Sequence, residues 1–304
     1  MNAPAHEQRR QRLIGIALMC GAVALFSALD AIAKYLGGQL DTLLVVSLRF
    51  LSAFVIALML FNPVTRPELV KTKRPGLQIL RGLMLVSTTI CNFMAFRYLQ
   101  LDEALAILFA TPFLVAALAG PLLGEWIGWR RWSAIAVGFA GVLVIIRPGI
   151  SGGMQWAALF SVAAAMFYAA YGITTRMVSR TDSSETTLFY GNLVAVVVMG
   201  PLLPFVWGGP LSWFHLGLIV AMGTLGSVSH YLLIAAHRRA PASVLSPFIY
   251  SQIVWAVLLG YLVFANVPTR WTLIGSAIVV ASGLYLIHRE RKVTGRVVAP
   301  VEPG

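Results

Sequence analysis

Residues 95–125 read AFRYLQLDEALAILFATPFLVAALAGPLLGE, and from Ala104 to Leu123 no charge interrupts them. A helix rising 1.5 Å per residue needs about 20 apolar residues to cross a hydrocarbon core of about 30 Å. This run has that length, and it holds a proline, Pro112, which a membrane helix tolerates where neighbouring protein satisfies the freed carbonyl. Working outward, runs of the same character recur at 13–36, 42–61, 77–96, 104–123 and 131–146, then at 153–175, 186–206, 212–236, 241–263 and 271–288. The sequence therefore predicts an all-α integral membrane fold with ten transmembrane helices.

Composition agrees. The chain has 304 residues, 59% hydrophobic and 11% charged, against about 25% charged in soluble proteins. The first apolar run is too long for a signal-peptide core and no small-residue cleavage site follows it, so the first helix is expected to stay in the mature protein. The tails, 1–12 and 289–304, are polar and expected to be mobile. Cys20 and Cys91 both fall inside predicted helices, where they read as buried apolar thiols.

A net charge of +12 raises the question of nucleic acid, and the placement of the bases answers it. Arg9, Arg10 and Arg12, then Arg66, Lys71, Lys73 and Arg74, then Arg130 and Arg131, Arg176 and Arg180, Arg238 and Arg239, and the C-terminal Arg289, Arg291, Lys292 and Arg296 all fall on one side of a ten-helix topology. Only Lys34, Arg97, Arg147 and Arg270 fall on the other, while Arg49 and Arg81 lie within helices. Basic residues accumulate on the cytoplasmic side. Both termini are thus expected inside, in a bacterial cytoplasmic (inner) membrane, and no nucleic-acid partner is expected.

The second half resembles the first. Gly120 matches Gly260 at an offset of 140, Trp129 and Gly141 match Trp271 and Gly283 at 142, and Ala24, Phe26 and Ala28 match Ala165, Phe167 and Ala169 at 141. Five helices per copy is an odd number, so the second copy must enter from the opposite side. Loop charge agrees, because the base-rich loop after the second helix has a counterpart, 207–211, with no base, whereas the loop after the third has only Arg97 against Arg238 and Arg239. Two inverted five-helix repeats, 13–148 and 149–288, are the expected organisation, flanked by cytoplasmic tails at 1–12 and 289–304. Carriers use such repeats to bind substrate near the midplane and alternate between two states. Small residues at four-residue spacing, Ala116, Gly120 and Gly124, suit close helix packing.

The run 95–125, followed by GFAGVLVIIRPG at 138–149, resembles the repeat unit of the drug/metabolite transporter superfamily in its EamA-type branch, over nearly the whole chain. The resemblance implies ten helices, cytoplasmic termini and metabolite transport without nucleotide hydrolysis. Arg49 looks like the arginine of that family's second helix and Glu125 like the glutamate closing its fourth. In the second copy Ala265 stands where Glu125 predicts an acid, and Gln252 where Pro112 predicts a proline.

Ionisable groups in hydrocarbon cost about 2.5–3.5 kcal/mol on insertion scales and so mark functional candidates. Asp30 lies roughly 9 Å and Arg49 roughly 4 Å outward of the middle of their helices. Asp30 shares a face with Lys34 at i, i+4 and pairs with Arg49 if the first two helices touch. Two readings stand: a packing ion pair with a snorkelling lysine, or a substrate contact that suits a zwitterion, Arg49 forking onto a carboxylate and Asp30 meeting an ammonium. The second copy offers Tyr171 for Asp30 at 141 and Asn192 for Arg49 at about 143. Asn92, His230 and Gln252 add polar groups at depth, His230 with the acid–base range of a proton carrier. Phe26, Phe93, Tyr168, Tyr171, Tyr250 and Trp255 are candidates to stack on flat substrates. Pro112 and Pro247 are hinge candidates.

No GxxxxGK[ST] loop is present, which excludes a nucleotide-driven pump of that type. There is no HExxH, and GSVSH at 226–230 is not a nucleophile elbow, so an enzyme is not expected. Neither a filter-like sequence for a channel, nor a cofactor, nor a metal site is expected. The partners expected are a small-molecule metabolite and the lipid bilayer, for a monomer or homodimer. The expected function is secondary transport by alternating access: amino-acid export leads, and uptake of a cofactor-like metabolite such as riboflavin or S-adenosylmethionine is the alternative.

Overall fold

The computed structural model describes residues 5–60, 66–111, 113–115, 117–118, 129–147, 155–178, 181–240, 245 and 248–297. Pro112, Pro247, Glu125, Ala116, Gly120 and Gly124 lie outside the described residues. Among the described residues every regular element is helical. The first half gives α1 (Ala5–Gly37), α2 (Thr42–Leu60), α3 (Pro75–Tyr98), α4 (Leu101–Leu108) and α5 (Trp129–Ile146). The second gives α6 (Gln155–Val178), α7 (Ser184–Met199), α8 (Trp213–Arg239), α9 (Gln252–Phe264) and α10 (Arg270–Val297). A 3-10 turn, Gly200–Leu202, and a helical turn, Leu203–Val206, prolong α7.

Six of these helices are long and apolar enough to cross a membrane, and Trp132–Ile146 and Gln252–Phe264 are shorter apolar helices. Their outer faces are apolar too, with Leu159, Val220 and Leu262 all more than half exposed. The terminal helices overrun the apolar spans. α1 starts at Ala5 and α10 continues to Val297, because Glu, Gln, Arg and Lys are good helix formers even where nothing apolar is left to bury. Helix ends follow local chemistry: Pro75 occupies the first turn of α3, while Ser183 and Ser212 cap α7 and α8 by accepting the amides of Thr186 and His215. Ala265 closes α9 in the left-handed region at φ 53°, a conformation that favours glycine.

The fourth helix of each half is interrupted among the described residues. α4 stops at Leu108, Phe109 and Ala110 form a turn, and helical residues resume at Thr111. Pro112 has no amide hydrogen, so the carbonyl of Leu108 four residues back loses its usual donor. Thr111 Oγ1 donates to that carbonyl at 2.6 Å. In the second half Phe248 and Ile249 are helical, Tyr250 and Ser251 form a turn, and α9 starts at Gln252. Ser251 Oγ donates to the Phe248 carbonyl, also at 2.6 Å. The two breaks meet, with the Phe109 and Tyr250 rings 5.5 Å apart, edge to face.

The halves are interleaved rather than side by side. α1 packs along α8, α3 along α6 and α5 along α10; α2 touches α8 and α7, α3 also meets α7, and α4 meets α6 and α9. Exchanging each helix with its counterpart five places on turns α1–α8 into α6–α3, α2–α8 into α7–α3 and α1–α9 into α6–α4, all of which are present. The exchange holds at single residues. A Cβ on Gly82 of α3 would lie 2.6 Å from Val194 of α7, and one on Gly223 of α8 would run into Ser52 of α2. Those pairs set the offset between α2 and α7 at 142, so the counterpart of Arg49 is Gly191 rather than Asn192. On α5 and α10, a Cβ on Gly275 would lie 2.6 Å from the Gly141 carbonyl, an approach that only small residues permit.

Candidate functional site

Asp30 is 7% exposed on α1. It accepts a hydrogen bond from Gln252 Nε2 at 3.3 Å, and one turn back Ser27 Oγ reaches the Gln252 carbonyl at 3.5 Å. α1 therefore holds the start of α9, just past its break, by two polar contacts. The expected Asp30–Lys34 pairing does not form. Lys34 Nζ instead donates to the carbonyls of Phe96 at 2.8 Å and Leu99 at 2.5 Å, because the end of α3 leaves carbonyls without helical partners and a cation is favoured there.

Arg49 of α2 lies over the Phe50 ring, 4.7 Å from its centroid, and 5.8 Å from that of Phe93. Its Nε and Nη1 are buried and have no hydrogen-bond partner. Asp30, Tyr171 and His230 all feel its charge. Buried donors left unmade cost about 1–3 kcal/mol each, and more when charged. Nε and Nη1 lie on different edges of the guanidinium, and each edge, completed by Nη2, offers a fork that a carboxylate can take.

Tyr168 and Tyr171 of α6 stack at 5.8 Å with 11° between their planes. Tyr168 is 43% exposed, yet at about 100° per residue it points about 180° away from the lipid-facing Leu159. Its exposed surface therefore opens inward, onto the interior that Asp30 borders. His230 of α8 sets its ring edge on Phe26 at 5.0 Å. Asn92 is 8% exposed on α3, next to Phe93, with Oδ1 unpartnered.

Asp30, Arg49, Tyr168, Tyr171, His230 and Gln252 thus gather from α1, α2, α6, α8 and α9. Three sequence candidates lie elsewhere. Tyr250 is buried between Phe109 and Gly283 of α10, with its hydroxyl unpartnered. Trp255 is 38% exposed on the face of α9 that carries the exposed Leu258 and Leu262, which is the outer surface. Asn192 is half-buried beside Gly191.

One central residue was not singled out by sequence. Arg81 of α3 is 3% exposed. Its Nε donates to Thr175 Oγ1 at 2.8 Å, Nη1 to the Thr187 carbonyl at 2.9 Å and Nη2 to the Tyr171 hydroxyl at 2.6 Å. The guanidinium lies 4.6 Å from the Tyr171 ring centroid. The signal available was a base six residues inside a largely apolar helix whose other base, Arg97, lies in its last turn. One turn nearer the basic end, Gln78 Nε2 donates to Asp182 Oδ2 at 2.9 Å, and the Asp182 carboxylate also takes the Thr72 hydroxyl and the Lys73 amide. Partial burial pushes the Asp182 carboxyl up, but these hydrogen bonds outweigh it and hold it below the usual carboxylate range.

The sequence profile of the EamA-like transporter family matches residues 13–147 and again 155–288. The chain belongs to that family. It is a multi-pass membrane transporter of the drug/metabolite superfamily, not an enzyme. It is 30% identical over 284 residues, 93% of this chain and 96% of the other, to an S-adenosylmethionine uptake transporter of Rickettsia conorii. To a riboflavin transporter of Vibrio cholerae it is 27% identical over 288 residues, 93% of this chain and 96% of the other. A solved crystal structure shares the fold at a TM-score of 0.63 and 18% identity, covering 93% of this chain and 98% of that one.

Proposed function

We propose that this EamA-type transporter is an uptake carrier for a cofactor-like metabolite that joins a flat ring to an α-amino-acid group, with S-adenosylmethionine as the leading candidate. The observation that carries the reading is that Arg49 keeps Nε and Nη1 unpartnered within electrostatic reach of Asp30 and of Tyr171, which stacks on Tyr168. A substrate carboxylate completes Arg49, its ammonium or sulfonium meets Asp30, and its purine lies against Tyr168. Riboflavin supplies the flat ring but no carboxylate, so the charged pair favours the amino-acid conjugate. The name of the Rickettsia conorii relative, an S-adenosylmethionine uptake transporter, supports uptake of such a molecule over the amino-acid export expected from sequence.

Transport proceeds in the cytoplasmic membrane of a bacterium, with both termini and the basic loops inside, through ten crossings arranged as two inverted repeats. The helix exchange seen in the packing supports that arrangement. Since five crossings separate counterpart helices, the exchange reverses direction across the membrane. The test is uptake of labelled S-adenosylmethionine into proteoliposomes holding the purified protein, with S-adenosylhomocysteine, methionine and riboflavin as competitors. Saturable uptake inhibited by S-adenosylhomocysteine more strongly than by riboflavin is expected. Uptake no faster than in empty vesicles, or uptake of riboflavin alone, overturns the reading.

A further inference from the structure

Arg81 ties the two halves together at the basic end of the bundle through a single buried guanidinium. Its three hydrogen bonds all leave the first half and end on the second, at Tyr171 and Thr175 of α6 and Thr187 of α7. Gly191 of α7 makes the room, since a Cβ there would lie 3.1 Å from Arg81 Nη1. The residue precedes Gly82, whose packing on Val194 is the counterpart of Gly223 on Ser52, so its equivalent in the second half is Met222. Met222 is fully buried and has no donor to offer. At these two equivalent positions the halves are thus tied by a buried arginine toward the basic end and only packed by an apolar side chain toward the other, where the contacts of His215 with Gln39 and of Thr272 with Glu103 also bridge them.

Arg81 also lies directly below the inward-facing tyrosines: it grips Tyr171, which stacks on Tyr168. From Tyr168 toward the basic end, this guanidinium is the next charged group held against the stack. Each of its three bonds ends on a neutral oxygen, a threonine hydroxyl, a carbonyl and a phenol. Without a carboxylate partner the grip is weaker than a buried ion pair, whose rupture leaves an uncompensated charge and costs several kcal/mol. It is thus strong enough to close the path and weak enough to be released in each cycle.

We infer that Arg81 is the cytoplasmic gate of transport, locking α3 to α6 and α7 beneath the tyrosine stack and releasing them to let the solute out. This rests on the carrier reading and on the basic end being cytoplasmic. The test uses the full chain with Cys20→Ala, Cys91→Ala and a reporter, Tyr168→Cys, at the inward-facing position one turn farther from the basic end than the residues Arg81 grips. A membrane-impermeant maleimide is applied to right-side-out and to inverted membrane vesicles, so the readout needs no knowledge of the substrate. In the Arg81 parent the reporter labels slowly in inverted vesicles. Arg81→Ala is expected to raise that rate at least tenfold, and Thr175→Val, which removes a single acceptor and spares the fold, about threefold. Unchanged labelling in inverted vesicles with both variants overturns the gate, as does a rise confined to right-side-out vesicles. A failure of S-adenosylmethionine uptake leaves this labelling result standing, so the two readings fail separately.

Discussion

Replacing Arg49 by alanine separates a substrate contact from a packing contact, because the two readings assign opposite costs to the change. Nε and Nη1 have no partner within the protein, so truncation breaks no hydrogen bond at those atoms. What it removes is the contact with Phe50 and Phe93, worth about 0.5–2 kcal/mol, and it also relieves an unpaired buried charge. Stability should change by about 1 kcal/mol or less in either direction, a Tm shift of a few degrees at most for a chain of this size. With substrate bound, two charge-assisted bonds at about 1.5–3 kcal/mol each are lost. At 1.4 kcal/mol per factor of ten, the lower figure already amounts to a loss of about 100-fold in uptake efficiency. Arg49→Lys keeps the charge without the fork and should fall between the two. The assay is initial uptake rate against concentration in proteoliposomes, beside thermal unfolding of the same preparations. An efficiency within threefold of the parent refutes the substrate role, and a Tm lower by ten degrees or more makes Arg49 a structural residue.

Asp30→Asn keeps an acceptor for Gln252 and removes the charge, so discrimination between S-adenosylmethionine and its neutral-sulfur analogue S-adenosylhomocysteine should narrow about tenfold or more in competition uptake, as expected for loss of one charged contact. Asp182 has a depressed carboxyl, so its support for the basic end is present above the ordinary carboxylate value and is lost as pH falls through the lowered one. Limited proteolysis of the 66–74 loop should rise in the parent as pH falls through that lowered value, whereas Asp182→Asn should be cleaved faster already at neutral pH and lack that acid-dependent step. Gly275→Ala puts a methyl against the Gly141 carbonyl and should destabilise by about 1–3 kcal/mol, read as lower thermal stability in detergent. Ala265→Gly relieves a left-handed alanine and should raise stability by up to about 1 kcal/mol.

The membrane class was legible because hydrophobic length is a local property that no packing alters, and the doubled chain because matched residues recur at a nearly fixed offset. Asp30, Arg49, Tyr168 and Tyr171 were legible as candidates for the same reason, since a polar or aromatic residue at depth is visible as such. Their partners were not. Asp30 meets Gln252, 222 residues away, and Arg81 meets Tyr171, 90 residues away, and helix rotation sets such pairs. Rotation also removed Trp255 to the outer face and aimed Tyr250 at α10. Lys34 looked like a neighbour of Asp30 by spacing, but α3 ends beside it and its bare carbonyls are the better acceptors. The breaks in α4 and α9 were half legible: the prolines marked the neighbourhood, while the hydroxyls of Thr111 and Ser251 that complete the backbone only have meaning once the carbonyls they reach are known.

The contact between Phe109 and Tyr250 joins the two broken helices where they cross. In a carrier that reaches its other state by swapping the roles of its halves, a contact between α4 and α9 maps onto itself and survives the swap. A substitution at Phe109 or Tyr250 therefore weighs on both end states alike and is felt in how fast they interconvert. A residue such as Arg81, bonded in one state and free in the other, sets how much time the protein spends in each. Turnover and resting orientation are thus written in different parts of the same bundle, and can be tuned one at a time.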